Sequence, residues 1–92
     1  MDLLTEEQIA ERLGGLSGWE RSGDSIEHVA TLKDFKAAML YVGAVAYLAE
    51  AANHHPDISV AWNKVTLTLS THSAGGLTSN DFDLAGRINA LG

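Results

Sequence analysis

The feature that most restricts this chain is an uncharged run of 13 residues, Ala37–Ala49, closed off by a proline at position 56. Asp34 stands where a helix N-cap is expected. Phe35, Met39, Val42, Ala46 and Ala49 recur at spacings of four and three, so the run predicts a helix over about 34–52 with one apolar face. Pro56 forbids helical continuation through His55, because the residue before proline avoids the helical region. The uncharged run is shorter than the roughly 20 residues that span a bilayer, so no membrane helix is expected. A chain of 92 residues must therefore bury this one apolar helix against a sheet or another helix in a single domain, 1–92.

The flanks supply that partner. Ile58, Val60 and Trp62 alternate with Ser59 and Ala61, and Val65, Leu67 and Leu69 alternate with Thr66, Thr68 and Ser70. Period two marks two strands, and Asn63-Lys64 is the expected turn between them. Ile26, His28, Ala30 and Leu32 alternate in the same way after the turn composition Ser22-Gly23-Asp24, which predicts a shorter hairpin from about 18–21 to 25–32. Thr5-Glu6-Glu7-Gln8 is a capping box that opens a first helix at about 5–14, with Gly14-Gly15 able to stop it. Ser73-Ala74-Gly75-Gly76 reads as a loop. Thr78-Ser79-Asn80-Asp81 resembles a second capping box, followed by Phe82, Ala85, Ile88 and Leu91 at helical spacing. The order α-β-β-α-β-β-α predicts an α+β fold of two layers, a four-stranded antiparallel sheet with three helices on one face. The other sheet face then has to be polar or covered by a partner.

Charge and cysteine count narrow the chemistry. Twelve acidic against six basic residues leave a net charge of −6, which argues against nonspecific binding to nucleic acid or anionic membrane. The absence of cysteine removes disulfides, thiolate nucleophiles and Cys-based zinc sites. No Gly-x-Ser-x-Gly elbow, Gly-x-Gly-x-x-Gly or phosphate loop is present. The acidic N-terminus lacks the basic start and apolar run of a signal peptide, so a cytoplasmic location is expected. Apolar residues are 46% of the chain, but 13 of them are Ala, so the core is thin and self-association is expected.

Three of the four histidines, His54, His55 and His72, fall at predicted element ends, together with Glu50 and Asp81. Imidazole is the side chain best suited to proton transfer near neutral pH, and carboxylates can orient it. Glu50 and His54 are four apart and share a face if the helix reaches that far. Each residue also has an ordinary reading: Glu50 as a solvated residue, His54 and His55 as favourable charges at a helix C-terminus, His72 as a surface strand end, Asp81 as a cap. Trp62, on the Ile58–Val60 face, reads first as core or interface. His28 reads as structural or exposed. Glu50, His54 and His72 could supply three metal ligands, but adjacent histidines are poor ligand spacing and no His-x-x-x-His pair exists, so no metal is expected.

The run Glu50-x3-His54-His55-Pro56-x5-Trp62-x9-His72-x8-Asp81 resembles the signature of the pterin-4a-carbinolamine dehydratases. Lys33-Asp34-Phe35, Trp62-Asn63-Lys64-Val65, Leu69-Ser70-Thr71-His72 and Gly76-Leu77-Thr78 are similar to that family as well, and the likeness extends from Leu4 to Leu91. The resemblance implies the same α+β fold and a hydro-lyase activity without cofactor or metal. The substrate would be a 4a-hydroxytetrahydropterin, dehydrated to the quinonoid dihydropterin during tetrahydrobiopterin-type recycling. It implies acid and base roles for His54 and His72, and pterin orientation with acid–base participation for His55. Glu50 would set the charge or tautomer of His54, Asp81 would orient a histidine or the pterin, and Trp62 would wall the pocket. A homodimer or homotetramer is implied too. So is an alternative without catalysis, in which relatives serve as dimerisation cofactors of homeodomain transcription factors or as assembly factors of a carbon-fixing enzyme.

Overall fold

A computed structural model describes residues 2–91. Its elements run α1 (Glu6–Gly14), β1 (Trp19–Ser22), β2 (Ser25–Thr31), α2 (Phe35–Ala52), β3 (Asp57–Ala61), β4 (Lys64–Leu69), a short 3-10 turn (His72–Ala74) and α3 (Ser79–Asn89). The four strands form one antiparallel sheet in the order β1-β2-β4-β3. This is the α+β fold expected from the alternation of helix and hairpin patterns.

Local chemistry accounts for most boundaries. Thr5 caps α1 and Gln8 reciprocates, forming the capping box. The Asp34 carboxylate accepts the Ala37 amide and starts α2. Asn53 ends α2 in the left-handed region at φ 49°, and its amide donates to the carbonyls of Ala49 and Glu50. Asparagine is one of the few non-glycine residues that adopts this conformation readily.

One sheet face is apolar and the other is not. Trp19, Ile26, Val65, Leu67 and Leu69 are buried together with Ile9, Ala38, Val45, Ala49, Phe82, Leu84, Ala85 and Ile88 from the helices. The register sets Ile26 opposite Leu69 and Val60 opposite Val65, so their side chains share the covered face. The opposite face carries Glu20, Glu27, Ser59, Thr66 and Thr68, with Val29 about half exposed. Polar side chains thus meet water on the second face.

Two expectations are corrected. The buried stripe of α2 is Ala38, Val45 and Ala49 with Tyr41, Val42 and Leu48 partly covered, whereas Phe35 and Met39 are half exposed. Nearly every residue of α2 is apolar, so periodicity cannot choose its face. Ala38, Val45 and Ala49 pack into the core, and Phe35, Met39, Leu40 and Tyr47 turn outward. The second hairpin turns at Trp62-Asn63, not Asn63-Lys64, because Ala61 pairs with Lys64. The turn is tied to the end of β2, where Leu32 N–H donates to the Asn63 backbone carbonyl at 2.8 Å and the Asn63 side-chain Nδ2 donates to the Leu32 carbonyl at 3.0 Å. Trp62 consequently adopts φ 51° and is 64% exposed, outside the Ile58–Val60 strand face.

By length and composition alone, α2 does reach what a membrane span requires, at 18 residues with mean hydropathy 1.3. Lys36 and Glu50 are its only charges. One of its faces is packed on α3 and the sheet.

Candidate active site

The end of α2, the end of β4 and the start of α3 meet at one edge of the molecule. Because Asn53 turns the backbone left-handed, the chain leaves α2 sharply, and the His54 amide still donates to the Ala49 carbonyl at 3.0 Å. His54 and His55 then lie outside regular secondary structure before Pro56. Thr71 and Gly76 form an isolated antiparallel bridge that closes the 3-10 turn and places His72 at its start. Asn53, His54, His55, Ser70, Thr71, His72 and Ser73 line an open cleft of about 250 Å³. The three histidines singled out by the sequence are therefore neighbours in space.

Each of the two adjacent histidines has its own carboxylate. His54 Nε2–H donates to Asp81 Oδ1 at 2.6 Å, and His55 Nε2–H donates to Glu50 Oε2 at 2.5 Å. The pairing expected from helical spacing, Glu50 with His54, is not the one found. The helix ends at Ala52, so the i,i+4 relation does not reach His54, and the turn at Asn53 presents His55 to Glu50. The two pairs differ in environment. The His54 side chain is 11% exposed and that of Asp81 is fully buried, whereas the side chains of His55 and Glu50 are 55% and 77% exposed. An ion pair as exposed as the second is worth little to stability. The first is screened from water.

Asp81 has a double engagement. Its Oδ2 accepts the Thr78 backbone amide at 2.9 Å, completing the capping box of α3, while Oδ1 faces His54. Oδ2 also accepts the Thr71 hydroxyl at 2.9 Å. The sequence offers Thr78 only as a helix cap and Thr71 only as part of the family-like stretch Leu69–His72, and it marks neither as a partner of the site carboxylate.

Trp62 does not join the histidines. It sits in the turn beyond β3, while His54 and His55 precede that strand, and five residues of strand span about 17 Å. His28 also lies elsewhere. Its ring stacks on Trp19 with centroids 5.2 Å apart, and Nδ1–H donates to the Gly18 carbonyl at 2.6 Å. A Cβ at Gly18 would meet this ring at 3.0 Å, and the residue has φ 80°, so glycine is required there. His28 lines a separate cleft of about 500 Å³ with Ala30, Tyr41 and Ile88, and burial raises the Tyr41 hydroxyl above its ordinary pKa. Among the described residues, no three His, Asp or Glu side chains are grouped to hold a metal ion.

What the cleft offers is a set of three imidazoles, two of them oriented by carboxylates, at the rim of a rigid sheet. That set can donate and accept protons on a small polar molecule. The comparisons agree with the pattern. The family described as "Pterin 4 alpha carbinolamine dehydratase" matches residues 2–91. A Roseiflexus castenholzii protein named "Putative pterin-4-alpha-carbinolamine dehydratase" is 55% identical over 89 residues, covering 97% of this chain and 96% of that one. A Nocardia farcinica protein of the same name is 53% identical over 90 residues, covering 98% and 95%. The crystal structure of a transcriptional coactivator/pterin dehydratase from Brucella melitensis superposes with a TM-score of 0.93 at 36% identity, covering 98% of each chain. A pterin dehydratase-like protein identified as a RuBisCO assembly factor in the alpha-carboxysome shares the fold at TM-score 0.64 and 20% identity, covering 79% of this chain and 84% of that one. A match across essentially the whole chain, at more than half identity to two relatives, decides the matter: this chain belongs to the pterin-4-alpha-carbinolamine dehydratase family.

Proposed function

We propose that the protein dehydrates 4a-hydroxytetrahydropterins to quinonoid dihydropterins by histidine general acid–base catalysis, as a 4a-hydroxytetrahydrobiopterin dehydratase. The observation that carries this reading is the convergence of His54, His55 and His72 on one cleft with Asp81 and Glu50 behind them. The reaction breaks the bond from C4a to its hydroxyl oxygen and removes the N5 proton. A protonated imidazole supplies a proton to the leaving oxygen, which departs as water, and a neutral imidazole takes the proton from N5. The electron pair of the N5–H bond becomes the new N5–C4a double bond. General acid–base catalysis contributes about 10²–10⁴-fold per group, enough for a dehydration that needs no other chemistry.

In this reading His54 and His72 carry the proton transfers, and His55 with Glu50 orients the pterin and can exchange protons with solvent. His54 is the more constrained group because its partner is buried. No metal or cofactor enters the reaction. The test is the decay of 4a-hydroxytetrahydropterin with substoichiometric protein in the presence of a chelator. Acceleration that survives chelation supports the reading. No acceleration, or a loss restored by added zinc, rejects it.

A second reading, a partner-binding protein in which catalysis is secondary, draws on the exposed Phe35, Met39, Leu40 and Tyr47 of α2 and on the coactivator named for the Brucella structure. Stoichiometric co-purification of a partner, together with no rate enhancement, would favour it. The same exposed stripe supports a homodimer or homotetramer, and the proposed pterin recycling would take place in the cytoplasm. Ala44, Ala51 and Ala52 of α2 and the exposed edge of the sheet are the other expected contacts.

A further inference from the structure

Behind His54 lies a closed chain of buried polar groups. Thr78 is fully buried, Asp81 is fully buried and Thr71 is 5% exposed. The Thr71 and Thr78 hydroxyl oxygens are 2.8 Å apart, and the Thr71 hydroxyl lies 2.9 Å from Asp81 Oδ2. The Asn80 amide donates to the Thr78 hydroxyl oxygen at 3.3 Å.

Counting protons fixes the direction of every bond. A carboxylate only accepts, so Thr71 must give its single hydroxyl proton to Asp81. Its bond with Thr78 is then one in which Thr78 donates. Thr78 accepts from the Asn80 amide, so no hydroxyl proton or buried oxygen is left over, and among the described residues no buried side-chain polar atom lacks a partner. Asp81 thereby receives three donors, the Thr71 hydroxyl and Thr78 amide on Oδ2 and His54 Nε2–H on Oδ1. Three donors to a carboxylate that water cannot reach hold it aimed at His54.

Thr78 has an ordinary reason to be threonine, since it caps α3. Thr71 does not. It precedes the 3-10 turn, yet its side chain makes no capping bond there, and its hydroxyl partners are Asp81 and Thr78. A valine would fill the same space. Burying a hydroxyl in place of a methyl is unfavourable unless its bonds serve something.

We propose that Thr71, seconded by Thr78, is a positioning residue: it holds the Asp81 carboxylate so that His54 keeps its proton on Nε2 and leaves Nδ1 free for the pterin. This rests on the dehydratase reading for its purpose, but the tautomer can be measured without substrate.

The test compares the wild-type chain, Thr71→Val and Thr71→Ser by ¹⁵N NMR of the histidine ring nitrogens and by dehydratase kinetics. Wild-type neutral His54 is expected as the Nε2–H tautomer alone. Thr71→Val should give a mixture of tautomers and a kcat lower by about tenfold, with KM within about twofold. Thr71→Ser, which restores the hydroxyl, should recover both. A wild-type His54 protonated on Nδ1 overturns the proposal even if the valine variant does not fold. So does a folded Thr71→Val with wild-type tautomer. A rate loss that serine does not rescue, with the tautomer unmoved, makes Thr71 structural and also overturns it. An inactive wild type whose His54 tautomer still depends on Thr71 removes the dehydratase reading and leaves the positioning role standing.

Discussion

Replacing Asp81 with asparagine tests the buried pair with almost no change of shape. The amide has one oxygen and one NH₂ where the carboxylate had two oxygens. Oδ2 faces two donors, the Thr71 hydroxyl and the Thr78 amide, while Oδ1 faces only His54. Turning NH₂ toward Thr78 would set a donor against a buried backbone donor, at a cost of about 1–3 kcal/mol. The amide oxygen should therefore stay with the threonines and NH₂ should face His54. An NH₂ there can only donate, so His54 must accept on Nε2 and carry its proton on Nδ1, the reverse of the wild-type tautomer. The lost interaction is a hydrogen bond to a charged group, worth about 1.5–3 kcal/mol. If that interaction is fully used in the transition state, kcat/KM falls by about 10–150-fold. Stability should fall as well, by about 1–2 kcal/mol, because a neutral NH₂-to-Nε2 bond replaces the charged one and the favourable charge in the first turn of α3 is lost, but the cap survives and the chain stays folded. The assay pairs dehydratase kinetics with thermal unfolding followed by circular dichroism. Asp81→Asn with activity within about threefold of wild type, and an unchanged His54 tautomer, would refute the reasoning.

Three further outcomes are expected. His72→Ala removes an exposed side chain at the start of the 3-10 turn, so the chain should fold normally while dehydratase activity drops at least about tenfold; full activity takes His72 out of the mechanism. In Tyr47→Phe the only remaining tyrosine is Tyr41, whose burial disfavours the phenolate. Its absorbance titration should have a midpoint above the ordinary value of 10.0. The folded state then holds a proton that the unfolded state releases, so stability should decline as pH rises past 10, and a midpoint at or below 10.0 contradicts the burial. Sedimentation at low micromolar protein should show a dimer or tetramer, with Leu40→Glu shifting it toward monomer. A strict wild-type monomer would leave the exposed apolar stripe of α2 without that explanation.

The parts of this fold that were legible in the sequence are those decided by neighbours in the chain. Thr5 and Gln8 announce α1, Asp34 and Pro56 bracket α2, and the alternation from Ile58 to Leu69 announces a hairpin. The misreadings arise where distant residues decide. The turn at Trp62-Asn63 is selected by bonds to Leu32, and tryptophan with positive φ is not a residue type that signals a turn. The face of α2 is selected by which side chains fit against α3 and the sheet, because a helix apolar at nearly every position has no preferred side in its sequence. Proximity of the histidines could be anticipated from their positions at element ends. Their partners could not, because one left-handed residue, Asn53, reassigns Glu50 from His54 to His55. Thr71 carries no local signal, since its hydroxyl meets Asp81 and Thr78 only once the chain beyond β4 is brought to the start of α3.

The shared use of Asp81 has a consequence for how the protein fails on heating. The first turn of a helix is where fraying begins, and local opening costs less than global unfolding. In α3 that turn contains the carboxylate that orients His54. An excursion that frees Asp81 from Thr78 and Thr71 would loosen its hold on His54 while the sheet stays intact. If the site turns over substrate as proposed, its thermal ceiling should then be set by the fraction of time these few residues are open, visible as hydrogen exchange at the Thr78 and Asp81 amides, well below the temperature at which the core melts.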